Sequence, residues 1–315
     1  MTHKLFKVNF FISAALLVCL LFTQKVNAQL GASSLRGQGI AVNMEYFPAS
    51  HYIRPEDSLK TNSTTGIRRY AAGMGFILHK KVDTAAKTMR MWALSAGGSY
   101  MKFDNQKYDT AVFPSELLGA NIMLQHLRSL KNRWSLLALL SVGVYTDMQA
   151  VTSKDVFVNG GVIFIKQSTP SFSYGFGAVL TNTFGTPMLL PGVLLNWQTG
   201  RKYKVEIELP QAIRVGYSFG NFTELAVALR MNGGSYDIEN RPDNRRLMAY
   251  KEITAGLENK WHIGKMINLN IAGGAALARS IEYKEKSWSE MFKQMPQHKL
   301  ENNWYVSAGI SVNFK

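Results

Sequence analysis

The chain has 315 residues, 46% of them hydrophobic, with 36 Lys+Arg against 21 Asp+Glu, a net charge of +15 and one cysteine. Such apolar content excludes a disordered chain, and a lone cysteine excludes both a disulfide framework and a cysteine-based zinc ribbon. The charge by itself fits nucleic-acid binding, a reading that the order of the elements then removes.

His3, Lys4 and Lys7 open the chain, followed by an apolar run from Phe10 to Phe22 and the small-residue ending Val26-Asn27-Ala28. These are the three regions of a secretory signal peptide. The run is shorter than the roughly 18–20 residues that a spanning helix needs. Cys19 follows Val18, where a lipoprotein cleavage site needs a small residue, so lipid attachment is not expected. The expected division is a signal peptide over 1–28 and a single domain over 29–315, beginning at Gln29 and free of cysteine.

From there the chain alternates with period two. Strands are predicted near 37–46, 67–79, 88–103, 115–129, 132–146, 156–166, 172–183, 187–198, 201–209, 211–219, 222–232, 247–261, 266–282 and 303–315. The last is the clearest: Trp304, Val306, Ala308, Ile310, Val312 and Phe314 share one face, and Asn303, Tyr305, Ser307, Gly309, Ser311 and Asn313 the other. Such a strand has one dry and one wet face. The wet faces are built from Gly, Ser, Ala, Asn and charged groups, which suits a hydrated lumen. Connections alternate between short ones, such as Leu130–Lys131 and Gly220–Asn221, and long ones, such as Phe47–Gly66, Asn232–Arg246 and Tyr283–Asn302. Trp92, Trp134, Trp197 and Trp261, with Phe314, fall on the apolar face beside the short turns, forming an aromatic girdle at the headgroup level.

The predicted fold is therefore all-β: an antiparallel transmembrane β-barrel of about 14 strands, with short periplasmic turns and long extracellular loops. A 12-stranded count is the alternative, because the 184–211 region has short connections at both ends and carries Pro191, which cannot donate to a sheet ladder.

Inward-facing charges concentrate at Lys204, Glu206, Glu208, Arg214, Glu224, Arg230, Glu252 and Glu258. They form either a selective wall or a self-neutralising network that fills a narrow lumen. Of the histidines after the leader, His126 falls on the apolar face, and His79 and His262 lie near turns. His51 and His298 lie in outer loops, where His298 has Ser289 and Glu290 within reach. Neither the spacing nor any P-loop, dinucleotide, HExxH or EF-hand motif points to catalysis. No enzymatic activity, cofactor or metal is expected. The acidic cluster Asp237, Glu239 and Asp243 lacks a calcium-loop glycine and is interleaved with arginines, so a solvated loop is expected there. In the last long loop, Ser287 and Glu290 have capping-box spacing. Trp288, Met291, Phe292 and Met295 fall on one helical face before Pro296, predicting a short amphipathic lid helix over the mouth.

The C-terminal run Ser307-Ala308-Gly309-Ile310-Ser311-Val312-Asn313-Phe314 resembles the signal read by the barrel-assembly machinery, with Ser307, Gly309, Val312 and Phe314 in its key places. Lys315 departs from it as a one-residue tail. The run from Leu190 to Tyr236, around Glu206-Ile207-Glu208-Leu209-Pro210, resembles an uncharacterised family of Bacteroidota-type outer-membrane β-barrel proteins. This resemblance implies location in the Gram-negative outer membrane and fold, with no activity attached. The expected role is a small-solute channel or transporter, apolar solutes included. The alternatives are a closed-lumen barrel of structural or surface-interaction role and, third, a loop-based enzyme. The expected partners are outer-membrane lipid, the assembly machinery and a small solute, not nucleic acid. Removing Lys4, Lys7 and Lys25 with the leader takes +15 to +12. Many remaining cations, including Lys80, Lys81, Lys87, Arg128, Lys131, Arg133, Arg201, Lys202, Lys260 and Lys265, lie near turns as a basic collar facing lipid phosphates.

Overall fold

A computed structural model describes residues 38–86, 88–182, 187–200, 202–239, 245–286, 293 and 295–314. The predicted leader therefore lies outside the described residues. The strands are β1 (Gly39–Ile53), β2 (Lys60–Asp83), β3 (Thr88–Gln106), β4 (Glu116–Ser129), β5 (Trp134–Thr146), β6 (Val156–Thr169) and β7 (Phe172–Thr181). They continue with β8 (Met188–Thr199), β9 (Tyr203–Leu209), β10 (Ala212–Phe219), β11 (Thr223–Asp237), β12 (Leu247–Ile263) and β13 (Ile267–Lys284). β14 is made of two segments, His298–Leu300 and Asn303–Asn313. Each strand pairs antiparallel with the next, and β14 pairs with both β13 and β1, closing a 14-stranded barrel. Closure leaves no edge with unpaired amides, the condition for sheet in a bilayer.

The predicted alternation holds as a division between outside and inside. Val42, Met44, Ile122, Val142, Phe176 and Val227 point outward and stay exposed, Ile122 at 58%. Their neighbours Asn43, Glu45, Met123 and Ser141 point inward. Trp92, Trp134, Trp197 and Trp261 lie at the turn end on the outward register. There Trp92 packs on His126 with ring centroids 4.1 Å apart, and Lys166 sits over Trp134 at 5.4 Å. Tyr46 and Trp304 meet edge to face at 5.8 Å toward the loop end. From Trp304 to Phe314 is about ten residues. At ~3.3 Å each and a tilt near 40° they rise about 25 Å, the height of a bilayer-facing apolar band.

Two expected loops turn out to be largely sheet. The Phe47–Gly66 connection shrinks because β1 runs to Ile53 and β2 starts at Lys60. Register shifts between Phe47 and Ser50 and between His51 and Ile53 break the period-two pattern that would have revealed it. β11 likewise runs on through Gly233-Gly234-Ser235 to Asp237, a stretch without apolar alternation because both of its faces are covered. Lys260, expected in the basic collar, instead shares the inward register with Glu258 and pairs opposite Glu224. Lys87 and Arg201 of that collar lie outside the described residues.

The doubtful 184–211 region forms three strands, so the count is 14 and not 12. β9 and β10 are short, at 7 and 8 residues. β8 and β9 begin to pair at Val193 with Leu209, so Pro191 lies beyond the end of its neighbour. Its missing N–H therefore breaks no ladder on that side, the edge position that a sheet allows proline.

Candidate functional site: a filled mouth beside a notch in the wall

The loop-end halves of β11, β12 and β13 do not stand up from the barrel. Tyr236, Asp237, Leu247, Met248, Ala249 and Tyr250 are all buried, which a free-standing hairpin cannot achieve. Asp237 makes a parallel bridge to Thr146 at the end of β5, six strands away around the ring. Ser235 Oγ donates to the Asn182 carbonyl at 2.6 Å, and the Glu239 N–H donates to Asp147 Oδ2 at 3.0 Å. Tyr236 packs edge-on against Tyr145 at 5.9 Å. The β11–β12 hairpin is thus folded across the mouth.

Beneath it the lumen is filled by an aromatic cluster. Phe47 stacks on Tyr305 at 5.7 Å and Phe103 meets Tyr250 edge-on at 6.3 Å, with Ile67, Leu117, Met248 and Ile281 packed among them. Arg69 is embedded there, 5.8 Å from the Phe47 ring and 5.7 Å from that of Tyr250. It pairs with Glu45 at 2.5 Å and with Glu252 at 2.9 Å. Tyr250 and Asn232 also donate to Glu252, at 2.5 and 3.2 Å. Arg279 lies over Phe47 and donates to Ser50 Oγ at 2.6 Å and to the Glu301 carbonyl at 2.8 Å.

The predicted charge network separates into two groups. Toward the turn end, Arg214 gathers Glu206 at 3.0 Å, Glu258 at 3.1 Å and Glu224, and Glu258 also takes Arg230 at 2.5 Å. Lys204 joins through Glu206 at 2.8 Å. Glu252 does not belong with them; it is the buried partner of Arg69. Glu208 sits at the outer end of β9, opposite Ala212 and Leu194. Sequence reading missed Glu45 and Arg69, although the same alternation in β1 and β2 places both inward. It could not have found Arg279. An extra residue, Leu277, bulges out of β13 between the pairs Ile253–Ala278 and Thr254–Ala276, and turns every later residue to the opposite face.

Of the other expected residues, Ser307 and Gly309 face inward beside Asn43 and Val312 faces outward. The Phe314 N–H donates to the Gln38 carbonyl at 3.2 Å. His298 Nδ1 lies 2.8 Å from the Tyr52 hydroxyl; Ser289 and Glu290 are outside the described residues. Asp237 and Glu239 both engage Arg246. Asp243, and Trp288, Met291 and Phe292 of the expected lid helix, are outside the described residues, while Met295 lies in irregular chain.

The short β9–β10 hairpin makes a notch in the wall. By the arithmetic used above, the 8 residues of β10 rise only about 18 Å, short of the full band, so the Leu209–Pro210 tip lies at the depth of the bilayer. A cavity of about 980 Å³ occupies the notch, its apolar side made by Met188, Leu190, Pro191, Leu209, Pro210 and Met231. Its other side carries Lys251, Lys284 and Lys299 from the outer ends of β12, β13 and β14, together with Arg54 and Lys293. Among the described residues Glu282 is the one acid that lines it, bonded to Lys251 at 3.0 Å and near Lys284 at 3.6 Å.

Known proteins give a family and a set of barrels. No curated protein matches. Among solved structures, the chain is similar to the COG4313 outer membrane channel from Pseudomonas putida F1 at 10% identity, covering 88% of this chain and 96% of that one, with a TM-score of 0.45. It is similar to the translocator domain of the autotransporter NalP from Neisseria meningitidis at 11% identity, covering 88% of each chain, with a TM-score of 0.33. The toluene transporter TodX from Pseudomonas putida matches at 8% identity over 88% of this chain and 89% of that one, with a TM-score of 0.22. The family model described as Domain of unknown function (DUF6268) matches residues 24–313, nearly the whole chain, and the protein belongs to that family.

Proposed function

We propose that the protein is an outer-membrane barrel that admits small, largely apolar solutes through its side rather than along its axis. One observation carries this reading. The axial path is filled at the mouth by the β11–β12 hairpin and its aromatic cluster, while the wall beside it dips to bilayer depth at a cavity of about 980 Å³. Pockets that enclose small ligands run from roughly 300 to 1,000 Å³ and are mainly apolar. Solutes that dissolve in the bilayer reach such a notch without crossing the polar loops. The short turns and both chain ends then face the periplasm, and the basic turn residues face inner-leaflet phosphates. No group in this mechanism is asked to do covalent chemistry, and assembly of the barrel uses the C-terminal signal at Ser307, Gly309, Val312 and Phe314.

The test is uptake of the apolar dye 1-N-phenylnaphthylamine by cells with an intact outer membrane. Expression of the wild type should speed the fluorescence rise, and Met231→Trp, which fills the notch from its floor, should return it to the vector control. Equal uptake with and without the barrel overturns the reading. A second reading, a closed structural barrel, is favoured by the same filled mouth, and it predicts that flat result.

A further inference from the structure

On the outer wall at the turn end, β2, β3 and β4 set three cations in one row. Lys81 pairs opposite Arg90, and Arg90 opposite Arg128. All three share the outward register of Trp92 and His126, and all are exposed. Like charges directly opposite on neighbouring strands destabilise a sheet. Two such pairs stand side by side here, and among the described residues no ion pair or side-chain hydrogen bond relieves them. The acid in the turn beyond them, Asp83, lies opposite Thr88 and accepts the Ala86 N–H at 2.9 Å. Residues 1–37, Lys87, Arg201 and Lys315 include no Asp or Glu, so no side-chain carboxylate comes from them. Asp243 and Glu290 belong to connections at the other end of the barrel. The row is therefore three uncompensated charges spread over two strand spacings, about 10 Å.

Its height and its surroundings fit a lipid. Arg90 is two residues past Trp92, which at ~3.3 Å each and a tilt near 40° puts it about 5 Å beyond the indole. The indole marks the boundary between acyl chains and headgroups, so the row is at the level of the phosphates. On the bilayer side of the row the Trp92 and His126 rings pack at 4.1 Å. Next to them the outward Leu94, Leu124 and Leu140 form an apolar strip across β3, β4 and β5. One phosphate answers one neighbouring pair and leaves the third cation alone. Two phosphates joined through one glycerol answer all three. We propose that the row Lys81–Arg90–Arg128 binds the headgroup of a diphosphatidylglycerol, whose acyl chains lie on the leucine strip. The site is separate from the notch and stands whether or not solutes enter there.

The experiment is native mass spectrometry of the full-length barrel in octyl tetraoxyethylene, titrated separately with tetraoleoyl diphosphatidylglycerol, dioleoylphosphatidylglycerol and dioleoylphosphatidylcholine. Heat-modifiable migration on gels confirms that each variant is folded. One diphosphatidylglycerol per barrel is expected, bound about fivefold tighter or more than phosphatidylglycerol, the worth of one further cation at a lipid surface. Phosphatidylcholine should bind more weakly than either. The triple variant Lys81→Gln, Arg90→Gln, Arg128→Gln should lose the preference for two phosphates. Removing the same charge elsewhere at the turn end, in Lys131→Gln, Arg133→Gln, Lys202→Gln, should leave it intact, as should Arg90→Lys with Arg128→Lys. If the first triple does not fold, Arg90→Gln alone, at the centre of the row, is read in its place and should lose most of the preference. Equal affinity for the lipids with one and two phosphates overturns the proposal. Equal loss in both Gln triples overturns it in favour of a diffuse basic collar, and failure to retain any anionic lipid overturns the site itself.

Discussion

Arg69 shows how much a single side chain in the lumen is asked to do. It neutralises two carboxylates, Glu45 and Glu252, and spans two aromatic faces, while Glu252 is 1% exposed. A charge removed from water costs several kcal/mol, and the pair repays it only while both partners remain. Arg69→Met keeps the volume but leaves Glu252 with only Tyr250 and Asn232. It should destabilise the barrel by roughly 3–5 kcal/mol, read as a lower temperature for the heat-modified gel shift, whereas Arg69→Lys should recover part of the loss. The position was open to sequence reading, since Arg69, Ala71 and Gly73 lie on one face of an alternating strand. Arg279 was not, because the bulge at Leu277 reverses the parity that would have placed it. A period-two argument holds only between bulges, and nothing in Ala275-Ala276-Leu277-Ala278 marks one.

At the scale of elements, the β11–β12 hairpin is the part whose behaviour sequence reading did not foresee. Its strands were legible from Leu225 to Met231 and from Ala255 to Trp261, where one face is apolar. Beyond those stretches both faces are covered, so the pattern fades although the sheet continues. What holds the hairpin down are the contacts that cross the mouth: the Asp237–Thr146 bridge, the Ser235 hydroxyl on the Asn182 carbonyl at 2.6 Å and the Glu239 N–H on Asp147 at 3.0 Å. Arg246 braces the hairpin from within, donating to Asp237 at 2.6 Å and to Glu239, and Lys286 approaches Asp237 at 3.5 Å while lying 4.7 Å from the Phe157 ring. Ser235→Ala with Asp147→Ala, which removes both side-chain contacts across the mouth, should raise the frequency of openings in planar-bilayer recordings severalfold over a nearly silent wild type; equally silent traces would show that these contacts do not hold the mouth shut. Burial holds the Lys286 ammonium below its usual value near 10.5, against the pull of Asp237. The opened mouth therefore keeps this proton at pH values where the closed mouth has lost it. Closure accordingly gains stability as pH rises through the window just below 10.5. Openings should become rarer in the wild type as pH rises toward 10.5, and this slope should vanish in Lys286→Met.

For the whole molecule, the fold was written in the chain more fully than the site. Fourteen amphipathic segments, alternating connection lengths and tryptophans at one end each follow from the bilayer as solvent, so they recur in every strand and can be read in each. The notch is a single local exception: Pro191, Pro210 and two short strands, which as a pattern only weakened the strand count. Its consequence belongs to the barrel as a whole, because the apolar band is about 25 Å tall around most of the wall and about 18 Å at β10. A bilayer meeting a wall of two heights thins where the wall is short, at a cost of a fraction of a kcal/mol per Å. Thinning brings the outer headgroups down toward the Leu209–Pro210 tip and its neighbouring lysines. Refolding from urea should therefore give a higher yield, on a gel-shift assay, in vesicles of didecanoyl or dilauroyl phosphatidylcholine than in dipalmitoyl vesicles held fluid. Inserting two alternating residue pairs at the β9–β10 tip, to bring that hairpin to full height, should erase much of this preference while also sealing the cavity from the lipid side. If the yields are the same in thin and thick bilayers, the short sector does not face lipid, and lateral access loses its physical basis.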